Sequence, residues 1–195
     1  YEVDTGTLSL ITYKVGSTTL SSNGGISTAT AMPSLSDDGR YLAFISDATD
    51  LFTGQTTSLD GHSLDVVPQD AFLYDRQDGS FRIVSHVSDD DNKGGNELTS
   101  LVVVSGDGSA VAFKSYATNL GQDEDRLSSS FDLFRYDVAT ADVTLVTHAA
   151  GDNTLSAASA SDTDLSPPSI SDDGRYIAYT SKATTLVADQ DDPGT

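Results

Sequence analysis

The sequence predicts an all-β chain built from four-stranded antiparallel blades. Three observations predict it. A tight-turn motif recurs as "SDDGR" at 36–40, "SGDGS" at 105–109 and "SDDGR" at 171–175. A second motif is interleaved with it: "YEVDTGTLSLIT" at 1–12, "YDRQDGSFRIVS" at 74–85 and "YDVATADVTLVT" at 136–147. No segment places its apolar residues at a helical period. One unit is therefore about 65 residues long, the sequence signature of a repeat architecture.

Each element reads as follows. Residues 1–12 alternate Leu8 and Leu10 with Ser9, so they form the half-wet outer part of a blade. Residues 33–46 hold "PSLS", a D-G turn and "RYLAFIS". Glycine at the turn tolerates positive φ, and the aromatic and β-branched residues after it favour a strand. Tyr41, Ala43 and Ile45 lie on one face and Leu42 and Phe44 on the other. A strand apolar on both faces belongs in a sheet covered on both sides. Residues 70–85 read as a third strand, "DAFLYD", and an outer strand in which Phe81 and Ile83 alternate with Arg82. Residues 99–115 and 131–147 repeat the scheme, with "VVSGDGSAVAF" diverging from the other copies and Ala141 standing where the turn glycine is expected. That third hairpin is expected to be built differently. Residues 168–181 supply inner strands once more. Tyr41, Leu42, Phe44, Val111, Phe113, Ile177 and Tyr179 are the predicted core.

Four antiparallel strands, inner ones buried on both faces and the outer one half exposed, make a propeller blade. The predicted organisation of 1–195 is an outer half-blade at 1–12, blades at 33–85 and 99–147, and an inner half-blade at 168–195. That is about three blade equivalents, and the expectation is a segment of a larger ring.

The combination S-x-D-G-R-Y-[LI]-A-[FY]-x-S, then D-x-F-x-Y-D, then a strand ending in V-S or V-T, resembles the TolB-type β-propeller repeat. It is similar to the variant found tandemly in large bacterial surface and secreted proteins. The resemblance covers nearly all the chain outside the long loops. It implies a six-bladed ring and is almost silent about function.

Composition limits the partners. The net charge is −20, and nearly all of the acid is Asp, with Glu only at 2, 97 and 124. Nucleic acid and anionic membrane need a basic surface, so neither is an expected partner. No apolar run is long enough to cross a membrane. Cysteine is absent, which excludes disulfides and thiolate metal sites. An Asp-rich, Lys-poor surface fits an extracellular or cell-surface setting, with the periplasm as the alternative. The expected partners are a protein or surface glycan, together with neighbouring blades of the same parent chain or a second copy.

The tight turns share one rim of the blades, and the long loops collect on the other. Calcium is the candidate ion there, because it takes hard oxygen ligands. Asp123 and Asp125 follow "ATNL", and Asp189 and Asp191 follow "ATTL", at equivalent places. "SDDDNKGGNE" at 88–97 has a similar look but fails the helix-loop-helix calcium spacing. His62, His86 and His148 are few, and the last two hold paired repeat positions. Tyr13, Phe52 and Tyr116 are candidates for exposed contact residues. No nucleophile elbow, metalloprotease helix or phosphate loop is present, so no catalytic residue is expected. Two readings stay open. One is a non-catalytic extracellular module with a structural, adhesive or protein-binding role. The other is an accessory propeller of a secreted serine-peptidase-type hydrolase, or a periplasmic partner protein.

Overall fold

The computed structural model describes residues 1–24, 32–57, 68–120, 131–157 and 166–189. Among these the regular secondary structure is entirely β, and no helix is long and apolar enough to cross a membrane. Along the chain the strands are β1 (Ser34–Leu35), β2 (Tyr41–Ser46), β3 (Thr56–Thr57), β4 (Asp70–Asp75), β5 (Ser80–Ile83), β6 (His86–Val87), β7 (Asp90–Gly94), β8 (Thr99–Val104), β9 (Ala110–Ser115), β10 (Asp132–Asp137), β11 (Val143–Leu145), β12 (His148–Ala149), β13 (Asp152–Ser156), β14 (Ser169–Ile170) and β15 (Ile177–Ala178).

Two sheets are complete four-stranded blades, ordered β1-β2-β4-β5 and β8-β9-β10-β11, antiparallel throughout. β14 and β15 pair as the inner half of a further blade. Residues 1–12 form less than the expected outer strands: Glu2 and Thr7 make one antiparallel bridge around a turn. The inner strand is longest in the divergent unit, six residues against two in each "PS" copy.

The alternation predicted for "RYLAFIS" explains the core. Ala43 and Ile45 of β2, with Ala71 and Leu73 of β4, face the second blade. There they meet Val102, Val104, Val111, Phe113, Phe134 and Tyr136 in one buried cluster. Phe44, Phe72, Tyr74 and Ile83 face the other way and pack with Ile11, Leu42, Phe52 and Phe81. Phe44 stacks on Phe72 at 5.6 Å, and the repeat-equivalent Phe113 stacks on Phe134 at 5.3 Å. The main core thus lies between blades, which is why a blade strand is apolar on both sides.

Phe44, Val111 and Phe113 are buried as expected. Tyr41, Leu42, Ile177 and Tyr179 are half-buried instead. Tyr41 lies at the turn rim, its ring against Gly108 of the next blade and under the Arg40 guanidinium. Leu42 lines an open groove beside Tyr1 and Ile11. Ile177 and Tyr179 belong to a two-stranded half-blade, with which no third strand pairs among the described residues.

The S-x-D-G turn is a closed hydrogen-bond device. Ser36 Oγ donates to Asp38 Oδ1 (2.7 Å) and accepts from the Tyr41 amide (2.9 Å), while the Arg40 amide donates to Asp38 Oδ1 (2.9 Å). Ser105 with Asp107, and Ser171 with Asp173, repeat every one of these bonds. Gly39, Gly108 and Gly174 have φ between 65° and 73°. The turns also bond one to the next. The Asp37 amide donates to Gly106 O, and the Asp107 amide to Asp172 O, both at 2.8 Å. The near-identical twelve residues at 33–44 and 168–179 therefore encode one turn that closes itself and joins its neighbour.

Candidate interaction face

A third repeat, which the sequence reading missed, follows the outer strands. β6 and β7 form a hairpin with a register shift between His86 and Val87. β12 and β13 do the same with a shift between His148 and Ala149. Tyr13 and Ser21 form the matching bridge in the first unit. Tyr13, His86 and His148 are thus equivalent, each two residues beyond the end of an I-T, V-S or V-T pair's first member. The stretch 88–97, compared above with an ion loop, supplies the turn and second strand of this hairpin. Its Asp90 carboxylate accepts from the Asn92 amide (2.9 Å) and so serves the turn.

An aspartate at the head of each third strand ties the hairpin down. Asp70 Oδ1 accepts from Ser85 Oγ (2.8 Å) and the Gly95 amide (3.1 Å), and Ser85 Oγ accepts from the Ala71 amide (2.9 Å). Asp132 Oδ1 accepts from Thr147 Oγ1 (2.7 Å) and Ser156 Oγ (2.8 Å), with the Leu133 amide donating to Thr147 Oγ1 (3.1 Å). Both aspartates are buried. Burial pushes the Asp70 carboxyl up from its ordinary 3.8 to about 7, against the opposing pull of Ser85 and the Gly95 amide. A charge taken out of water disfavours its ionised form.

The hairpin then reaches the next blade. Tyr13 Oη donates to Gly79 O (3.4 Å) and its ring meets Tyr74 edge-on. His86 Nε2 lies 2.9 Å from Ala141 O and its ring meets Tyr136 edge-on. Gly79 and Ala141 are the same turn position, five residues after the tyrosine. Ala141 does not build a different hairpin: its φ is 63° against 73° at Gly79, and its amide bonds to Asp137 O as that of Gly79 bonds to Asp75 O. His86 Nδ1 also faces a carbonyl, Val87 O, at 2.7 Å. A neutral imidazole donates from one nitrogen only, so both contacts become hydrogen bonds together only in the protonated ring. A cleft of about 570 Å³ opens beside this latch, lined among others by His86, Asp91, Asp142, His148 and Asn153.

The A-T-x-L motif, read above as the flank of an ion loop, receives an asparagine. Asn96 exchanges three hydrogen bonds of 2.9–3.0 Å with Thr118 and Asn119. Asn23 makes the same three, at 2.7–2.9 Å, with Thr49 and Asp50. Leu51 and Leu120 close the motif in the core. Of the four candidate calcium ligands, Asp123, Asp125 and Asp191 lie outside the described residues. Asp189 is exposed, with φ 58°. Among the described residues no three His, Cys, Asp or Glu side chains are grouped so as to hold a metal ion. His62 also lies outside the described residues. The three candidate contact aromatics are half-buried: Tyr13 is in the latch, Phe52 joins the Phe44 cluster, and Tyr116 stacks on Phe131 at 3.6 Å.

No family model matches the chain, and no curated protein matches it. Among solved structures it is similar to the crystal structure of TolB from Acinetobacter baumannii, with 17% identity and a TM-score of 0.38. The match covers 93% of this chain and 42% of that one, so the chain spans about two fifths of that protein's length.

Proposed function

We propose that the chain is a non-catalytic, extracellular β-propeller module, an adhesive or protein-binding part of a larger bacterial surface or secreted protein. The observation that supports this reading is the use of its polar side chains. Asp38, Asp70, Asp107, Asp132, His86 and Asn96 each bond to a turn, a hairpin or the next blade. Their chemistry is spent on a rigid scaffold, and long loops on a rigid scaffold are the ordinary place for binding. Calcium held by the loops after A-T-N-L and A-T-T-L, at Asp123, Asp125, Asp189 and Asp191, belongs to the same proposal.

Binding of the chain to immobilised extracellular-matrix proteins and to a glycan array, with and without calcium, tests the reading. Retention on one of these surfaces, with no hydrolysis of peptide or ester substrates, is the expected result. Covalent labelling of a serine by a fluorophosphonate, with turnover of those substrates, would contradict it.

A further inference from the structure

We propose that His86 is a proton-operated latch: as an imidazolium it pins the β6–β7 hairpin to the second blade, and loss of its proton releases the hairpin. The ring is buried between two carbonyl oxygens. Nδ1 lies 2.7 Å from Val87 O, and Nε2 lies 2.9 Å from Ala141 O. A carbonyl only accepts, so each short contact needs a hydrogen on the ring nitrogen, and only the charged ring carries both. Either neutral tautomer turns a nitrogen lone pair onto an oxygen. His148 Nδ1 makes the same local contact, with Ala149 O at 3.0 Å. The Nδ1 hydrogen therefore belongs to the hairpin itself, and the second hydrogen, on Nε2, is the one that reaches the next blade.

The first unit makes the same joint without a titrating imidazole. Tyr13 stands where His86 stands, and its Oη donates to Gly79 O, the counterpart of Ala141 O. A phenol keeps its hydrogen throughout the neutral range, whereas histidine changes charge between about pH 5 and 8. Histidine in place of tyrosine thus adds proton dependence to a contact that the fold makes without it. The blades that meet at His86 are the two complete ones.

The groups around the ring come from several elements. From β7 the Asp91 carboxylate stands 3.7 Å from Nδ1. From β10 Tyr136 meets the ring edge-on. Asp142, in the turn before β11, and His148 of β12 line the same cleft as His86. Arg82 of β5 shares a second cleft with Asp91 and Tyr136, and its Nη1 donates to Val138 O at 2.8 Å. Beneath the hairpin, Asp70 of β4 bonds to Ser85, the residue before His86. A group that holds its proton more tightly in the docked state stabilises docking at low pH, and that contribution is lost as pH rises. The latch is therefore closed in acid and opens toward alkaline pH. This inference rests on the joint between the blades and not on the adhesive reading.

Proton NMR of the histidine rings in the full 195-residue chain, from about pH 5 to 9, tests it. The His86 signal is the one absent from His86→Tyr. In the folded chain it is expected to keep its imidazolium shift to a pH about one to two units higher than in urea, as one charge-assisted hydrogen bond requires. Hydrogen exchange of the Gly95 amide, which donates to Ser85 O across the hairpin, reads the latch itself once the intrinsic pH dependence is removed. It is compared in Asp70→Asn and in Asp70→Asn/His86→Tyr, so that the carboxyl beneath does not titrate. Circular dichroism checks that both keep the β spectrum. Protection is expected to fall about tenfold or more with rising pH in the first chain and to stay level in the second, where tyrosine restores the first unit's donor. A ring that loses its proton at or below the pH found in urea, protection that does not fall, or an equal fall in both chains would each overturn the proposal.

Discussion

Asp70 is the residue whose chemistry is most at odds with its place. Its carboxyl is raised to about 7 by burial, above the unfolded value of 3.8. A group raised on folding contributes stability that is full below the unfolded value and is lost as pH rises through the folded one. The turn aspartates act in the opposite sense. Hydrogen bonds from Ser36 and Ser171 hold Asp38 and Asp173 below the ordinary carboxylate range, and bonds from Ser109 and Ser105 do so for Asp107. Their contribution is present above the unfolded value and is lost as pH falls through the folded one. The chain is therefore expected to be most stable near pH 4 and to lose stability progressively from there to about pH 7, measured as urea midpoints across pH. Asp70→Asn still accepts from Ser85 and Gly95 but carries no charge. It should match wild type near pH 4, exceed it by a growing margin as pH rises, and keep the full margin above about pH 7. Ala141 supplies a second prediction at this scale. An alanine at φ 63° is strained where glycine is not, so Ala141→Gly should stabilise the chain by about 1 kcal/mol in urea denaturation.

The elements differ in how much the sequence shows of them. The S-x-D-G turn was legible, because glycine, aspartate and serine at fixed offsets leave little else for that segment to be. The strands with Phe44, Phe72, Phe113 and Phe134 were legible from apolar runs bounded by turns. The hairpin at 86–94 was not. "HVSDDDNKG" has no alternation, its aspartates suggested an ion loop, and the equivalence of Tyr13 with His86 is hidden by the change of residue type. The pairing of Asn23 and Asn96 with A-T-x-L was hidden for another reason: its partners are 22 to 27 residues apart, and neither side is apolar. Repeat alignment through "ITY", "VSH" and "VTH" is the signal that finds both. At this scale Gly94→Ala is a sharp test. A Cβ there would fall on the buried Asp70 carboxylate, so the substitution should cost about 1–3 kcal/mol of stability. His86→Ala should cost about 1–3 kcal/mol by leaving Ala141 O without its donor.

At the scale of the molecule the blades are held by a core that belongs to no single sheet. Ala43, Ile45, Val111, Phe113 and Phe134 pack across the space between blades, so blade one and blade two should unfold together as one cooperative unit. Phe113→Ala, at the centre of that cluster, is expected to lower stability by about 3–5 kcal/mol and to lower it equally by tryptophan-free probes of either blade, such as tyrosine fluorescence and near-ultraviolet dichroism. Calcium enters at this scale too. If it binds the folded loops, millimolar calcium should raise the melting temperature over chelator, and sodium at matched ionic strength should not.

The central claim is that successive blades stand side by side, joined turn to turn. Native-state hydrogen exchange at the amides of Asp37 and Asp107 tests it most directly. Both residues are exposed and both sit in tight turns, where an amide facing water exchanges fast. Here each amide instead donates across to the neighbouring blade, to Gly106 O and Asp172 O. The account predicts that these two amides exchange as slowly as the strand amides of β2 and β9. Exchange at the rate of the exposed Asp78 turn amide would contradict it.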